Sequence, residues 1–252
     1  MKKGLSFYNG YEKFYTMAKE SKCFKKFCEV AYGVDFSQDG FNDINQINLI
    51  LEFFPKTNDL SILDIGCGNG KMLKYLQSRI GGHIYGFDFS ENAINTARAD
   101  YINKSDFRIG AIGEVNYPIE MFDIIISMDT IYFATDMSTF IRQIYSWLKV
   151  GGVIFIGYQE GDIMAKTKNS ETTVLAKSIK ENNLKYDVID YTKQSYDMLC
   201  HKRKTTIDFE DNFIQENLQD WYSLLLSQTN CITVPYDEYV KHNARYIYII
   251  KK

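Results

Sequence analysis

Three glycines at alternate positions, Gly66, Gly68 and Gly70, follow directly on the apolar run Ile62-Leu63-Asp64-Ile65. Glycine has no Cβ, so such a loop turns sharply at the end of a strand and lets the backbone approach a ligand closely. Two common phosphate cradles are excluded by register. A dinucleotide loop requires G-x-G-x-x-G; counted from Gly66, its third glycine falls on Lys71. A P-loop requires G-x-x-x-x-G-K-S/T. Gly70-Lys71 is present, but Ile65 stands where the first glycine belongs and Met72 where the hydroxyl belongs. What remains is D-x-G-x-G-x-G between an apolar strand and a helix.

From residue 62 onward the apolar pattern alternates between strand and helix. Residues 62–65 read as a strand. Met72, Leu73, Leu76 and Ile80 share one helical face, and Gly81-Gly82 ends that helix. A second strand over 83–87 ends in Asp88, and Ser90 is placed to cap a helix carrying Ile94, Ala97 and Tyr101. Strands are predicted over 107–112, 122–128 and 153–158, and Asp136 caps the helix between the last two. The run Ile124-Ile125-Ile126 suits a strand buried on both faces. This alternation predicts a parallel sheet covered by helices. Farther on, 172–181 reads as a helix, and 185–189 and 245–250 as strands. Residues 191–240 between those strands are helix-like and polar. Residues 1–54 are helical in pattern and dense in aromatic side chains.

Beyond the glycine loop, Phe122-Asp-Ile-Ile-Ile-Ser-Met128 and Leu148-Lys-Val-Gly-Gly-Val153 stand at the fourth and fifth strands. Together these segments resemble the class I S-adenosylmethionine-dependent methyltransferases of the small-molecule type. The resemblance covers 60–158 strongly and 184–250 weakly. It implies an α/β fold with a Rossmann-like seven-stranded sheet, mostly parallel, whose last strand is antiparallel. Residues 1–54 would form a helical lid. Residues 55–252 would form the methyltransferase domain, with 191–240 as a helical insertion.

The cofactor implied is S-adenosylmethionine. Asp64, Gly66, Gly68 and Gly70 would meet its amino-acid end, and the following helix N-terminus favours a carboxylate. Asp88 would accept hydrogen bonds from the ribose diol, by the same chemistry that operates in dinucleotide folds. Phe89 would flank the adenine, and Met128, closing the fourth-strand motif, belongs with the cofactor residues. One position departs from the family pattern. Where many relatives carry an acidic residue after the third strand, this chain has Gly113, with Glu114 beside it. Ala111 and Ile112 are then expected to supply backbone hydrogen bonds and an apolar wall.

Methyl transfer from a sulfonium depends chiefly on positioning the nucleophile, so the family resemblance guarantees no catalytic side chain. Ligands in open parallel sheets bind at the carboxyl ends of the strands. That rule nominates Asp129, Thr130, Ile131, Tyr132 and Phe133 after the fourth strand, and Tyr158, Gln159 and Glu160 after the fifth, for the substrate side. Asp129 and Tyr132 are the catalytic candidates that could orient an amine or hydroxyl. Tyr11, Tyr15 and Tyr32 are candidate lid residues for the substrate, because aromatic faces attract sulfonium and methylated ammonium groups. His201 and His242 are the remaining candidate bases; His83 begins a strand, at the wrong end.

The chain has 252 residues, 45% apolar and 24% charged, with a net charge of −3. This balance disfavours nucleic acid, whose binders carry a basic face. The most basic segment, His201-Lys-Arg-Lys204, reads as a solvated helix end. No apolar run approaches the roughly 20 residues that span a bilayer. Five cysteines without a C-x-x-C pair read as free thiols of a cytoplasmic protein, and no metal is expected. The leading expectation is methyl transfer to N or O of a small molecule. A protein or RNA methyltransferase, or a non-catalytic protein that binds S-adenosylmethionine, are the alternatives.

Overall fold

The computed structural model describes residues 8–37, 40–55, 59–101 and 103–252. Three helices come first: α1 (Tyr8–Glu20), α2 (Lys22–Tyr32) and α3 (Ile44–Leu51). Strand and helix then alternate through β1 (Ser61–Ile65), α4 (Lys71–Ile80), β2 (His83–Asp88), α5 (Glu91–Asp100), β3 (Ser105–Ile109), β4 (Phe122–Met128), α6 (Met137–Trp147), β5 (Leu148–Glu160), α7 (Val174–Glu181) and β6 (Tyr186–Asp190). Four helices follow: α8 (Thr192–Asp208), α9 (Glu210–Gln215), α10 (Gln219–Ser227) and α11 (Tyr236–His242). Strand β7 (Ala244–Lys251) closes the chain.

The strands form one seven-stranded sheet in the order β3-β2-β1-β4-β5-β7-β6. Only β7 is antiparallel, to both β5 and β6. This is the sheet that the sequence predicts, with shifted boundaries. Strand β5 starts at Leu148, ahead of the glycine pair, because Phe122 already pairs with Leu148 before a register shift in the β4–β5 ladder.

Alternation along each central strand sorts its side chains to opposite faces. Leu63, Ile125, Ile154, Ile156 and Tyr248 join α6 and α7 in one apolar cluster. Ile62, Ile124, Ile126, Phe155 and Ile249 join α3, α4 and α5 in another. Truncating Ile125, which is fully buried, to alanine costs about 2–5 kcal/mol at such a site.

A third cluster lies off the sheet. Phe14, Phe24 and Phe27 of the N-terminal helices pack with Leu199, Phe213, Leu225 and Tyr239 of α8–α11. The two segments without a family motif therefore share one apolar core. In it, Phe27 meets Phe209 and Phe213 at ring-centroid distances of 6.1 and 5.8 Å. The basic run 201–204 is not solvated throughout. Lys202 is 1% exposed, its ammonium donating to Gln228 Oε1 at 2.8 Å. Among the described residues, no helix is long and apolar enough to cross a membrane.

Candidate active site

Strand β1 is flanked by β2 on one side and β4 on the other. The chain reverses its winding there, which opens a crevice at the carboxyl ends of the strands. The glycine loop occupies this place. Backbone N–H groups of Gly66 and Cys67 donate to Phe87 O at 2.9 and 3.1 Å, which ties the loop to β2. Gly66 has φ 77°, and a Cβ there would run into Thr130. Thr130 itself donates from Oγ1 to Ile65 O at 2.6 Å. The segment between α2 and α3 holds the loop from outside: Asn69 Nδ2 donates to Ser37 O at 3.1 Å, and Lys71 Nζ pairs with Asp35 at 2.6 Å.

Above the loop is a cavity of about 710 Å³. Asp64, Gly66, Asp88, Phe89, Ala111, Ile112 and Met128 line it, as do Gly113 and Glu114. So do Tyr11 and Tyr15 of α1 and Asp129 after β4. Asp88 accepts from Gly68 N at 3.0 Å with one oxygen and from Ser90 N at 2.9 Å with the other. Each oxygen keeps a lone pair for a further donor. Burial raises the Asp88 carboxyl to about 6, against the pull of those two N–H groups.

Asp64 is 2% exposed, and its Oδ2 has no hydrogen-bond partner. Desolvation, with the neighbouring Asp88 charge second, raises it to about 8. A buried carboxyl oxygen without a partner is costly, and a cation bound in the cavity would complete it. Helix α1 is held over this end of the sheet. Asn92 Nδ2 donates to Glu12 O at 3.2 Å, and the Tyr11 ring meets Phe89 edge-on at 5.2 Å.

The structure separates several predicted residues from this cavity. Gly68 and Gly70 underlie it without lining it, covered by Tyr15 and Phe107. Tyr32 is buried in the helical cluster, with the Lys202 ammonium 5.7 Å from its ring. Tyr158 faces the sheet core, its ring 5.2 Å from Tyr132 and 6.1 Å from Tyr248. Neither Tyr32 nor Tyr158 reaches the site. Tyr132 stands behind Asp129: its hydroxyl donates to Asp129 Oδ1 at 3.0 Å and accepts from Gln159 N at 2.7 Å. Burial, with the Asp129 charge second, holds that phenol well above its ordinary range.

Asp129 is itself occupied. It pairs with Arg245 and accepts from Phe41 N at 3.2 Å and Asn42 Nδ2 at 3.1 Å. The histidines lie elsewhere. His83 stacks on Tyr85, His201 is bonded to Val30 O, and His242 faces Glu238. Cys67 is buried, and burial raises its thiol well above the ordinary range, unsuited to a nucleophile. Among the described residues no cluster of His, Cys, Asp and Glu is arranged to hold a metal ion.

Sequence reasoning missed Arg245, Met72 and Thr135 near the site, whereas Thr130 and Phe133, nominated by their place after the fourth strand, do line the cavity. Arg245 carried a readable signal: one arginine in a strand of aromatic and β-branched residues.

Residues 63–156 match a family model described as a methyltransferase domain. The chain is 32% identical over 124 residues to phosphoethanolamine N-methyltransferase 1 of Zea mays, covering 47% of this chain and 25% of the relative. It is 27% identical over 206 residues to the phosphoethanolamine N-methyltransferase of Plasmodium falciparum, covering 80% of this chain and 71% of that one. The chain thus spans a quarter of the length of the maize relative. A structure of Haemonchus contortus phosphoethanolamine N-methyltransferase 2, bound to phosphomonomethylethanolamine and S-adenosylhomocysteine, superposes with a TM-score of 0.74. That match is 20% identical and covers 99% of this chain and 61% of the other.

Proposed function

We propose, for a chain that belongs to the class I S-adenosylmethionine-dependent methyltransferases, that it transfers a methyl group to nitrogen or oxygen of a small molecule. The observation that carries this reading is the buried Asp64 oxygen, unpartnered in a cavity at the switch point of the sheet. A zwitterionic amino-acid end fits the groups present. Its ammonium would meet Asp64, and its carboxylate would meet the loop backbone at the start of α4. The ribose diol would bond to Asp88. The adenine would lie among Phe89, Ala111 and Ile112, which line the wall beyond.

When bound, S-adenosylmethionine supplies a methyl group already activated by a positive sulfur. The protein's own contribution is placement and exclusion of water. Tyr11 and Tyr15 roof the cavity from α1. Asp129 is fixed by Arg245 and Tyr132 and acts as a rigid wall; both of its oxygens already accept hydrogen bonds. The acidic balance of the chain, with a net charge of −3, favours a small acceptor over RNA.

The test is calorimetric titration with S-adenosylmethionine and S-adenosylhomocysteine, followed by product analysis with small amines and alcohols. Binding with micromolar affinity and release of S-adenosylhomocysteine are expected. No binding of either nucleoside refutes the reading.

A further inference from the structure

A smaller pocket of about 130 Å³ opens beside the main cavity and shares Tyr11, Gly40 and Asp129 with it. We propose that this pocket seats the methyl acceptor and that the acceptor is a compact, unphosphorylated amine. The inference rests on the cofactor reading of the main cavity.

Four observations carry it. First, Gln159 lines the pocket and is 7% exposed, and its Oε1 has no hydrogen-bond partner. A buried amide oxygen in a polar pocket calls for an N–H donor. Second, the charged side chains of the wall are carboxylates, Asp129 within and Asp162 on the exposed rim. Third, Tyr11 and Phe41 contribute aromatic rings, and ring faces attract ammonium groups. Fourth, among the described residues no lysine, arginine or histidine lines either cavity.

Two cations that touch the wall are already committed. Arg245 is held by Asp129. Lys202 lies behind the wall, 5.3 Å from the Phe41 ring and bonded to Gln228. A phosphate dianion in this pocket would face Asp162 and the Arg245-paired Asp129 with no free cation among the described lining residues, whereas an ammonium would meet the unpartnered oxygen of Gln159 and the carboxylate of Asp162. Gln159 and Asp162 thereby become specificity residues. They separate this site from the acceptor that the relatives' names print.

The test is calorimetric titration of the whole chain with ethanolamine, its mono- and dimethyl forms and phosphoethanolamine, each with and without saturating S-adenosylhomocysteine. Ethanolamine or a methylated form is expected to bind more tightly than phosphoethanolamine. Gln159→Leu should weaken amine binding about tenfold or more, the effect of losing a hydrogen bond to a charged group. Gln159→Glu should retain or strengthen it. Both variants should bind S-adenosylhomocysteine as the wild type does. Tighter binding of phosphoethanolamine, wild-type amine affinity in Gln159→Leu, or no binding by any of the unphosphorylated amines overturns the proposal. Failure of the nucleoside to bind counts instead against the cofactor reading, and the titrations without it still decide the pocket.

Discussion

Arg245, wholly buried on β7, is ion-paired with Asp129 just past the end of β4. Its guanidinium also donates to Gln46 Oε1 at 3.0 Å and to Asn42 Oδ1 at 2.9 Å. One side chain thus joins the antiparallel strand, the wall of the cavity and the segment leading into α3. Asp129 sits in the left-handed region at φ 59°, a conformation that its several acceptor bonds help to hold. Removing one partner of such a buried pair leaves an uncompensated charge and costs about 3–5 kcal/mol.

Arg245→Met is therefore expected to lower the unfolding free energy by about that amount. Arg245→Lys should recover little, because one ammonium cannot serve Asp129, Gln46 and Asn42 in the fixed geometry of the fork. The double variant Arg245→Met, Asp129→Asn should be more stable than Arg245→Met alone, since the orphaned charge is gone. Urea denaturation of the four proteins measures this. A double variant no more stable than the single would show that the pair is not the source of the loss.

Asp64 predicts a proton that moves on binding. Its carboxyl is held up to about 8 by burial and by Asp88, so it is largely protonated at pH 7. A cation seated against it favours the ionised form. Cofactor binding at pH 7 should therefore release up to one proton, and affinity should rise with pH toward 8. Folding has the opposite sign: the native carboxyl lies above its ordinary value near 3.9, so its contribution to stability falls as pH rises from about 4 to 8. Asp64→Asn should abolish the proton release, flatten the pH dependence of Tm and weaken binding. Calorimetry in buffers of different ionisation enthalpy reads the proton directly. Equal heats in all buffers with wild-type protein would contradict the assignment.

Asp88 carries a separate prediction, because it is bonded to the loop as well as open to the cavity. Asp88→Ala removes the acceptor and frees Gly68 N and Ser90 N. Binding of S-adenosylhomocysteine should weaken by more than tenfold, or ~1.4 kcal/mol. Asp88→Asn keeps one acceptor oxygen and should fall between. Calorimetric titration checks both, and wild-type affinity in Asp88→Ala would remove the ribose role.

The sheet was legible because its signal is local. Period-two and period-3.6 apolar patterns mark strand and helix within a dozen residues, and the glycine loop marks the switch point by itself. The helical cluster off the sheet was not legible in the same way. Its core joins Phe27 to Phe213, and its polar anchor joins Arg245 to Gln46 across 199 positions. No window of sequence contains such a pair. Lys202 read as solvated for this reason: what buries it are α2, α10 and the Phe41 segment, packed from elsewhere in the chain. Tyr158 was misjudged through the strand period. It shares the face of Ile154 and Ile156 in the sheet core, while its neighbour Gln159 lines the smaller pocket.

The closeness of α1 to the glycine loop can be tested at Gly68. Its φ is 53°, and a Cβ built there would overlap the hydroxyl of Tyr15. Gly68→Ala should thus carry two costs, left-handed strain of about 1–2 kcal/mol and displacement of Tyr15. Tyr15→Ala leaves the first cost and removes the second. In a double-mutant cycle the alanine at 68 should be less destabilising when Tyr15 is absent, with a coupling of about 0.5–3 kcal/mol as for residues in contact. Tyr15→Ala alone should weaken nucleoside binding, since Tyr15 lines the cavity. Additive effects on the urea midpoint would mean that α1 does not rest on the loop in solution, and the roof over the cavity would then be open in the free protein.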